Sequence, residues 1–107
     1  MDFQDLITRT LELNAKFKTE FSDHGRALSL VSEVGELADA IVEFDDGKAK
    51  GNRNPKGKEE IADALADILY NLIVLAKHYE VDLPNEYQKV LSDVKKRFEE
   101  REFIQKE

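Results

Sequence analysis

The sequence predicts an all-α fold, an antiparallel four-helix bundle, and three observations carry that expectation. Residues 61–76 are apolar on nearly every side, are too long for a strand and contain no extended β-branched run. Three further stretches repeat apolar residues at three- and four-residue spacing, and the joins between the four are short. The composition, 36% charged and 41% hydrophobic, suits a soluble helical protein. With 107 residues the whole chain, 1–107, is read as one domain.

The first helix opens at Asp2, a capping residue, and carries Phe3, Leu6, Ile7, Leu11, Phe17 and Phe21 near one face. It is expected to end around 21–25, where Asp23 and His24 fall at the junction as a cap and a surface or pocket-mouth histidine. The second helix is expected over about 26–44, with Leu28, Val31, Val34, Leu37, Ala38, Ile41 and Val42 setting its period. Gly35 stands inside it, at a cost of roughly 1 kcal/mol relative to alanine. That suits a close helix neighbour or a ligand approaching the backbone.

Residues 45–58 read as a loop, with three glycines and a proline. Its basic residues are Lys48, Lys50, Arg53, Lys56 and Lys58, either solvated or a cationic flap that meets phosphates. The third helix spans about 59–79. The fourth starts at Val81-Asp82-Leu83-Pro84, with Asp82 as its cap, and its buried face is Tyr87, Val90, Leu91, Val94 and Phe98. Lys95, Lys96, Arg97 and Arg101 gather toward its end, where the helix dipole favours cations.

Charge narrows the function classes. A net charge of −7 disfavours nucleic acid polymers and anionic membranes as partners. There is no cysteine, hence no disulfide, thiolate zinc site or cysteine nucleophile. The first ten residues lack the basic and apolar regions of a secretory signal, and the third helix is too short and too acidic to span a bilayer, so the cytoplasm is the expected location.

Each residue turns a helix by about 100°, so Glu60, Asp63, Asp67 and Asn71 share one stripe of the third helix. Glu33 and Glu36 share a face of the second, with Glu43 further along it. Such stripes either face water or, if antiparallel packing brings Glu33 and Glu36 opposite Asp63 and Asp67, form a cation site. Four crowded carboxylates repel unless a divalent ion lies among them. Oxygen ligands without histidine or cysteine select magnesium, with manganese possible, rather than zinc. Magnesium so bound completes its shell with water and substrate phosphates. A calcium-binding loop and the histidines of a di-iron bundle are both missing.

The segment Ser32-Glu33-Val34-Gly35-Glu36-Leu37-Ala38-Asp39-Ala40-Ile41 resembles the EVGELAEA helix of MazG-like, all-α nucleoside triphosphate pyrophosphohydrolases. Ala64-Leu65-Ala66-Asp67-Ile68-Leu69-Tyr70, followed by Val81-Asp82-Leu83-Pro84, resembles that family's ELADVLIYL…VDLP segment, so the likeness covers residues 26–98. It implies a MazG-like bundle and magnesium-dependent hydrolysis of a (deoxy)nucleoside triphosphate to the monophosphate and pyrophosphate. On the matching positions it implies Glu33, Glu36 and Asp67 as metal ligands, with Asp63 in support, and Glu33 as the group that orients or deprotonates water. It also implies Asn71 as a nucleotide contact, and Lys96, Arg97 and Arg101 as cations for the departing pyrophosphate.

Two positions depart from the pattern. Ser32 replaces a first glutamate, and Ala64 falls where the second motif has one, although Glu60-Ile61-Ala62-Asp63 spells the motif one turn earlier. A phosphoribosyl-nucleotide pyrophosphohydrolase and a non-catalytic helical interaction protein are the alternatives. The third helix carries Leu65, Ile68, Leu69, Leu72, Ile73 and Leu75 around its circumference, more than three neighbours cover. A homodimer on helices 2 and 3, or a tetramer of such pairs, is therefore expected to complete the bundle.

Overall fold

The computed structural model describes residues 1–16, 23–51 and 57–106, with backbone alone at 23, 24 and 102–106. Four helices account for it: α1 (Phe3–Lys16), α2 (Asp23–Ala49), α3 (Lys58–His78) and α4 (Leu83–Lys106). No strand occurs among the described residues, and the all-α expectation holds.

Local chemistry explains most of the boundaries. At α1 the Asp5 amide donates to Asp2 Oδ1 at 2.8 Å, while the Asp2 amide donates to Asp5 Oδ2 at 3.3 Å, a reciprocal cap. At α4 the Asn85 amide donates to Asp82 Oδ1 at 3.2 Å, as the sequence suggests, and Pro84 sits in the first turn, where its missing N–H costs nothing. Helix α3 closes with Glu80 at φ 56° and the Val81 amide donating back to the Ala76 carbonyl at 2.8 Å.

The joins differ from expectation. Helix α2 begins at Asp23, so Asp23 and His24 lie in its first turn rather than at a junction, and it runs on to Ala49. Residues 45–49 are thus helical, not loop. The reason is tertiary: Phe44 and Gly47 are half-buried, and the Phe44 backbone borders Gly57 at the start of α3. That packing outweighs the cost of a glycine in the helix, roughly 1 kcal/mol. Of the five basic loop residues, Lys48 is in the last turn of α2, Lys50 follows it and Lys58 opens α3, while Arg53 and Lys56 lie outside the described residues. Phe17, Phe21 and the end of the first helix also lie outside them.

Gly57 is the tight joint. It is buried with φ 112°, and a Cβ there would stand 2.7 Å from the Ala40 carbonyl oxygen. Both the left-handed backbone and the close approach demand glycine. Gly35 is different: nothing among the described residues lies within 4 Å of the Cβ it lacks, so none of the described helices explains it.

Helices α2 and α3 form an antiparallel hairpin. Its inward positions on α2 are Arg26, Leu30, Glu33, Leu37, Ala40 and Phe44; on α3 they are Gly57, Ile61, Ala64, Ile68, Asn71 and Leu75, all buried or half-buried. Both sets alternate steps of four and three, the spacing of a coiled-coil seam. Helix α1 covers another side of α3, where Ile7 and Ile73 line a shared cavity of about 280 Å³. Helix α4 scarcely touches the others. The radius of gyration is accordingly 18.0 Å, against about 13 Å for a compact domain of 100 residues.

Most of the apolar period read on α2 faces away from α3. Leu28 is 72% exposed and Val31 70%, and Val34, Ile41 and Val42 are also exposed, while Leu37 is half-buried. Leu65, Leu69 and Leu72 of α3 are exposed too. One chain leaves them uncovered, as the circumference of α3 suggests.

Candidate metal and phosphate site

The hairpin opens on one side into a groove of about 370 Å³ lined by Glu36, Asp39, Ala40, Glu43, Glu60, Asp63, Ala64 and Asp67. Its construction follows from the seam. Ala40 and Ala64 are 5% and 7% exposed, small residues that let the two helices close together. Glu36 and Glu43 flank Ala40, and Glu60 and Asp67 flank Ala64, three or four residues away, while Asp39 and Asp63 immediately precede the alanines; all six stand on the shoulder of the seam rather than in it. Antiparallel register brings Glu36 toward Asp67 at one end and Glu43 toward Glu60 at the other.

Among the described residues, six carboxylates and no basic residue line this groove. Three of the four expected metal ligands, Glu36, Asp63 and Asp67, are brought together there. Glu60 joins them, so both readings of the second motif place carboxylates along this groove. Asp39 was not singled out from the sequence, although it lies three residues from Glu36 on the same helix. Ala64 lies in the groove wall, so the missing motif glutamate would have projected there.

The donor chemistry suits a hard divalent cation. Among the described residues, however, no group of three or more acidic or histidine side chains stands close enough to hold an ion as placed. All six are exposed side chains on helical backbones, so binding requires a change of rotamer, not of fold.

Glu33 does not line the groove. One turn before Glu36, it accepts a hydrogen bond at Oε2 from Asn71 Nδ2 at 2.7 Å. Asn71 Oδ1 in turn accepts from Arg26 Nη1 at 2.6 Å. Asn71 and Arg26 are 7% and 6% exposed, so this polar chain is buried beside the groove's Glu36–Asp67 end. The Arg26 guanidinium lies 6.0 Å from the Tyr70 ring centroid, and the Tyr70 hydroxyl donates to Asn14 Oδ1 of α1 at 3.2 Å. Asn71, expected as a nucleotide contact, has its amide engaged on both sides by protein.

Arg26, Tyr70 and Asn14 were not anticipated as site residues. A signal for Arg26 was present: positions 26, 30, 33, 37, 40 and 44 already keep the four-three spacing. It was masked by the more apolar stripe of Leu28, Val31 and Val34 beside it. Lys96, Arg97 and Arg101 are exposed on α4, and none of them borders the groove within this chain.

Among known families, a model described as phosphoribosyl-ATP pyrophosphohydrolase matches residues 1–98. That range includes every candidate side chain named above except Arg101. Comparison with the curated proteins finds no match.

Proposed function

This chain belongs to the phosphoribosyl-ATP pyrophosphohydrolase family, and from that premise we propose that it is a magnesium-dependent hydrolase releasing pyrophosphate from a nucleotide triphosphate. The observation that carries this reading is the groove between α2 and α3, lined by six carboxylates and, among the described residues, by no basic one. A bare triphosphate would be repelled there. A triphosphate arriving with divalent cations would not.

Glu36, Asp63 and Asp67 are the proposed magnesium ligands, with Glu33 adjoining and Asp39, Glu43 and Glu60 lining the same groove. Manganese suits the same oxygen donors. When bound, the cation would supply positive charge against the phosphates and would make a nearby water easier to deprotonate. Glu33 accepts the proton of the attacking water, whose oxygen forms the new bond to phosphorus. The bond between phosphorus and the pyrophosphate oxygen breaks, and its electron pair leaves with pyrophosphate. Lys96, Arg97 and Arg101 are the proposed partners of that charge. They stand on a helix that scarcely touches the groove's walls, so their role depends on how α4 packs in the assembled protein.

Assembly is part of the reading. The exposed faces of α2 and α3 support a homodimer, or a tetramer built from two, because burying each such apolar side chain contributes about 1.5–3 kcal/mol. No helix among the described residues is long and apolar enough to cross a membrane, and the proposed setting is the cytoplasm, without a nucleic acid polymer as partner.

Two substrates fit this chemistry. A (deoxy)nucleoside triphosphate would give the monophosphate plus pyrophosphate. Phosphoribosyl-ATP, favoured by the name of the matching family, carries the same triphosphate and would give phosphoribosyl-AMP plus pyrophosphate. The deciding experiment is a panel of ribo- and deoxynucleoside triphosphates and phosphoribosyl-ATP with magnesium, measuring phosphate and pyrophosphate separately. Pyrophosphate from one of them supports the reading and names the substrate. Stepwise phosphate release refutes it, and no turnover of any favours a non-catalytic interaction protein, the outcome to which Ser32 and Ala64 point.

A further inference from the structure

The groove does not account for the buried polar chain beside it. Asn71 is held between a residue that can only donate and one that can only accept. A guanidinium has five N–H donors and no acceptor; an ionised carboxylate has acceptors alone. Of the two orientations of the Asn71 amide, one therefore satisfies both neighbours, with Oδ1 to Arg26 at 2.6 Å and Nδ2 to Glu33 at 2.7 Å. The other sets N–H against N–H and oxygen against oxygen. Arg26 thus determines what Asn71 presents to Glu33. Arg26 is itself located by the Tyr70 ring, and Tyr70 by Asn14, so side chains from three helices converge on one carboxylate.

We propose that Arg26 is a positioning residue for the hydrolysis: acting through Asn71, it holds Glu33 in one rotamer with Oε2 occupied. One oxygen, Oε1, is then left to meet the attacking water. This rests on the reading of Glu33 as the proton acceptor. Glutamate has three rotatable side-chain bonds, and a general base must lie within hydrogen-bond reach of its proton. A displacement of about 1 Å can cost on the order of 100-fold in rate. A buried arginine and asparagine could alternatively serve to set the register of the hairpin, as polar seam residues do in coiled coils. The two roles give different results.

The test combines kinetics with nuclear magnetic resonance on the full chain. Arg26→Gln is expected to lower kcat by about 10- to 100-fold while KM changes by less than about threefold. Arg26→Lys, which still offers Asn71 Oδ1 a donor, is expected to recover part of the loss. In a Glu33→Gln background, adding Arg26→Gln should remove little of the residual rate, because no carboxylate remains to be positioned. Losses that multiply, or a fall in stability that accounts for the rate without any rescue by lysine, would overturn the assignment.

The second readout does not need turnover. In protein labelled with 15N-asparagine, the Asn71 side-chain amide pair should shift on Glu33→Gln and again on Arg26→Gln. An Asn71 amide unmoved by Arg26→Gln would overturn the inference whatever the kinetics. Absence of pyrophosphate release by the wild type overturns instead the hydrolase reading, and with it any role of Arg26 in that reaction. If Arg26→Gln does not fold, Arg26→Lys carries both comparisons.

Discussion

Along the contact between α2 and α3 the buried positions are small or polar, Arg26, Ala40, Ala64 and Asn71, whereas α4 displays Tyr87, Val90, Leu91, Val94 and a 61% exposed Phe98 to solvent. Helix α4 is thus less buried than the hairpin although its large apolar residues recur at helical spacing. At the closest contacts of the hairpin, burial follows side-chain size and hydrogen bonding as well as hydrophobicity. The hairpin is closed by steric fit at Ala40, Ala64 and Gly57 and by hydrogen bonds through Asn71, while the large apolar residues of α4 and of the outer face of α2 wait for another surface. The part of the molecule completed within one chain is the part that carries the acidic groove.

The sharpest way to break this comparison is to remove charge from the groove. Asp67→Asn is expected to lower magnesium-dependent pyrophosphate release by roughly 100-fold or more, the scale of losing an essential transition-state contact. Asp63→Asn should be less severe and Glu60→Gln milder still, because Glu60 lies two turns from Asp67 at the far end of the groove. Initial rates across the three variants check the order. Loss in Glu60→Gln with Asp67→Asn near wild type would move the site to the other end.

The unfinished half of the molecule is addressed by its assembly state. Sedimentation equilibrium at tens of micromolar protein is expected to give a dimer or a tetramer. Leu28→Glu combined with Val31→Glu should shift the protein toward monomer, since each change places a charge on a face argued to become buried. A monomeric wild type at that concentration would sink the idea that a second copy covers these faces.

Gly57→Ala tests how far the hairpin depends on close approach. A methyl group there meets the Ala40 carbonyl oxygen and a backbone at positive φ, so stability is expected to fall by about 1–3 kcal/mol. Denaturant unfolding at fixed protein concentration measures it. Gly35→Ala, with open space around the missing Cβ among the described residues, should raise helix stability by up to roughly 1 kcal/mol, and any cost should appear only with assembly.

The smallest expected effect separates a cation site from a salt-bridge network. Among the described residues no basic one lines the groove, so Glu36→Gln in EDTA should leave stability unchanged or raise it by up to about 1 kcal/mol. It should also reduce the stabilisation conferred by excess magnesium, which arises by mass action on the native state. A variant clearly weaker than wild type in EDTA, with an undiminished magnesium effect, would favour structural ion pairs.

Features with local causes were legible in the residues themselves. The four helices follow from apolar spacing, and the caps at Asp2 and Asp82 from a short side chain reaching an amide three residues on. The grouping of Asp63 with Asp67 follows from one helical turn, and the pairing of α2 with α3 across a short join brought Glu36 to them. The helices, the caps and the grouping of Asp63 with Asp67 depend on residues within a few positions of one another, so the sequence alone determines them. Which stripe of α2 faces α3 was a different kind of question. Leu28, Val31 and Val34 give the stronger apolar period, yet the chain closes on Arg26, Leu30, Glu33, Leu37, Ala40 and Phe44. Only those positions meet partners on α3 that match them: Asn71 for Arg26 and Glu33, and Gly57 for Ala40 and Phe44. Such matching joins residues about 13 to 45 positions apart and depends on side-chain size and donor count at both ends. The tertiary structure therefore decided that Glu33 sits beside Asn71 rather than in the groove, because a half-buried carboxylate is held where the buried Asn71 amide can donate to it.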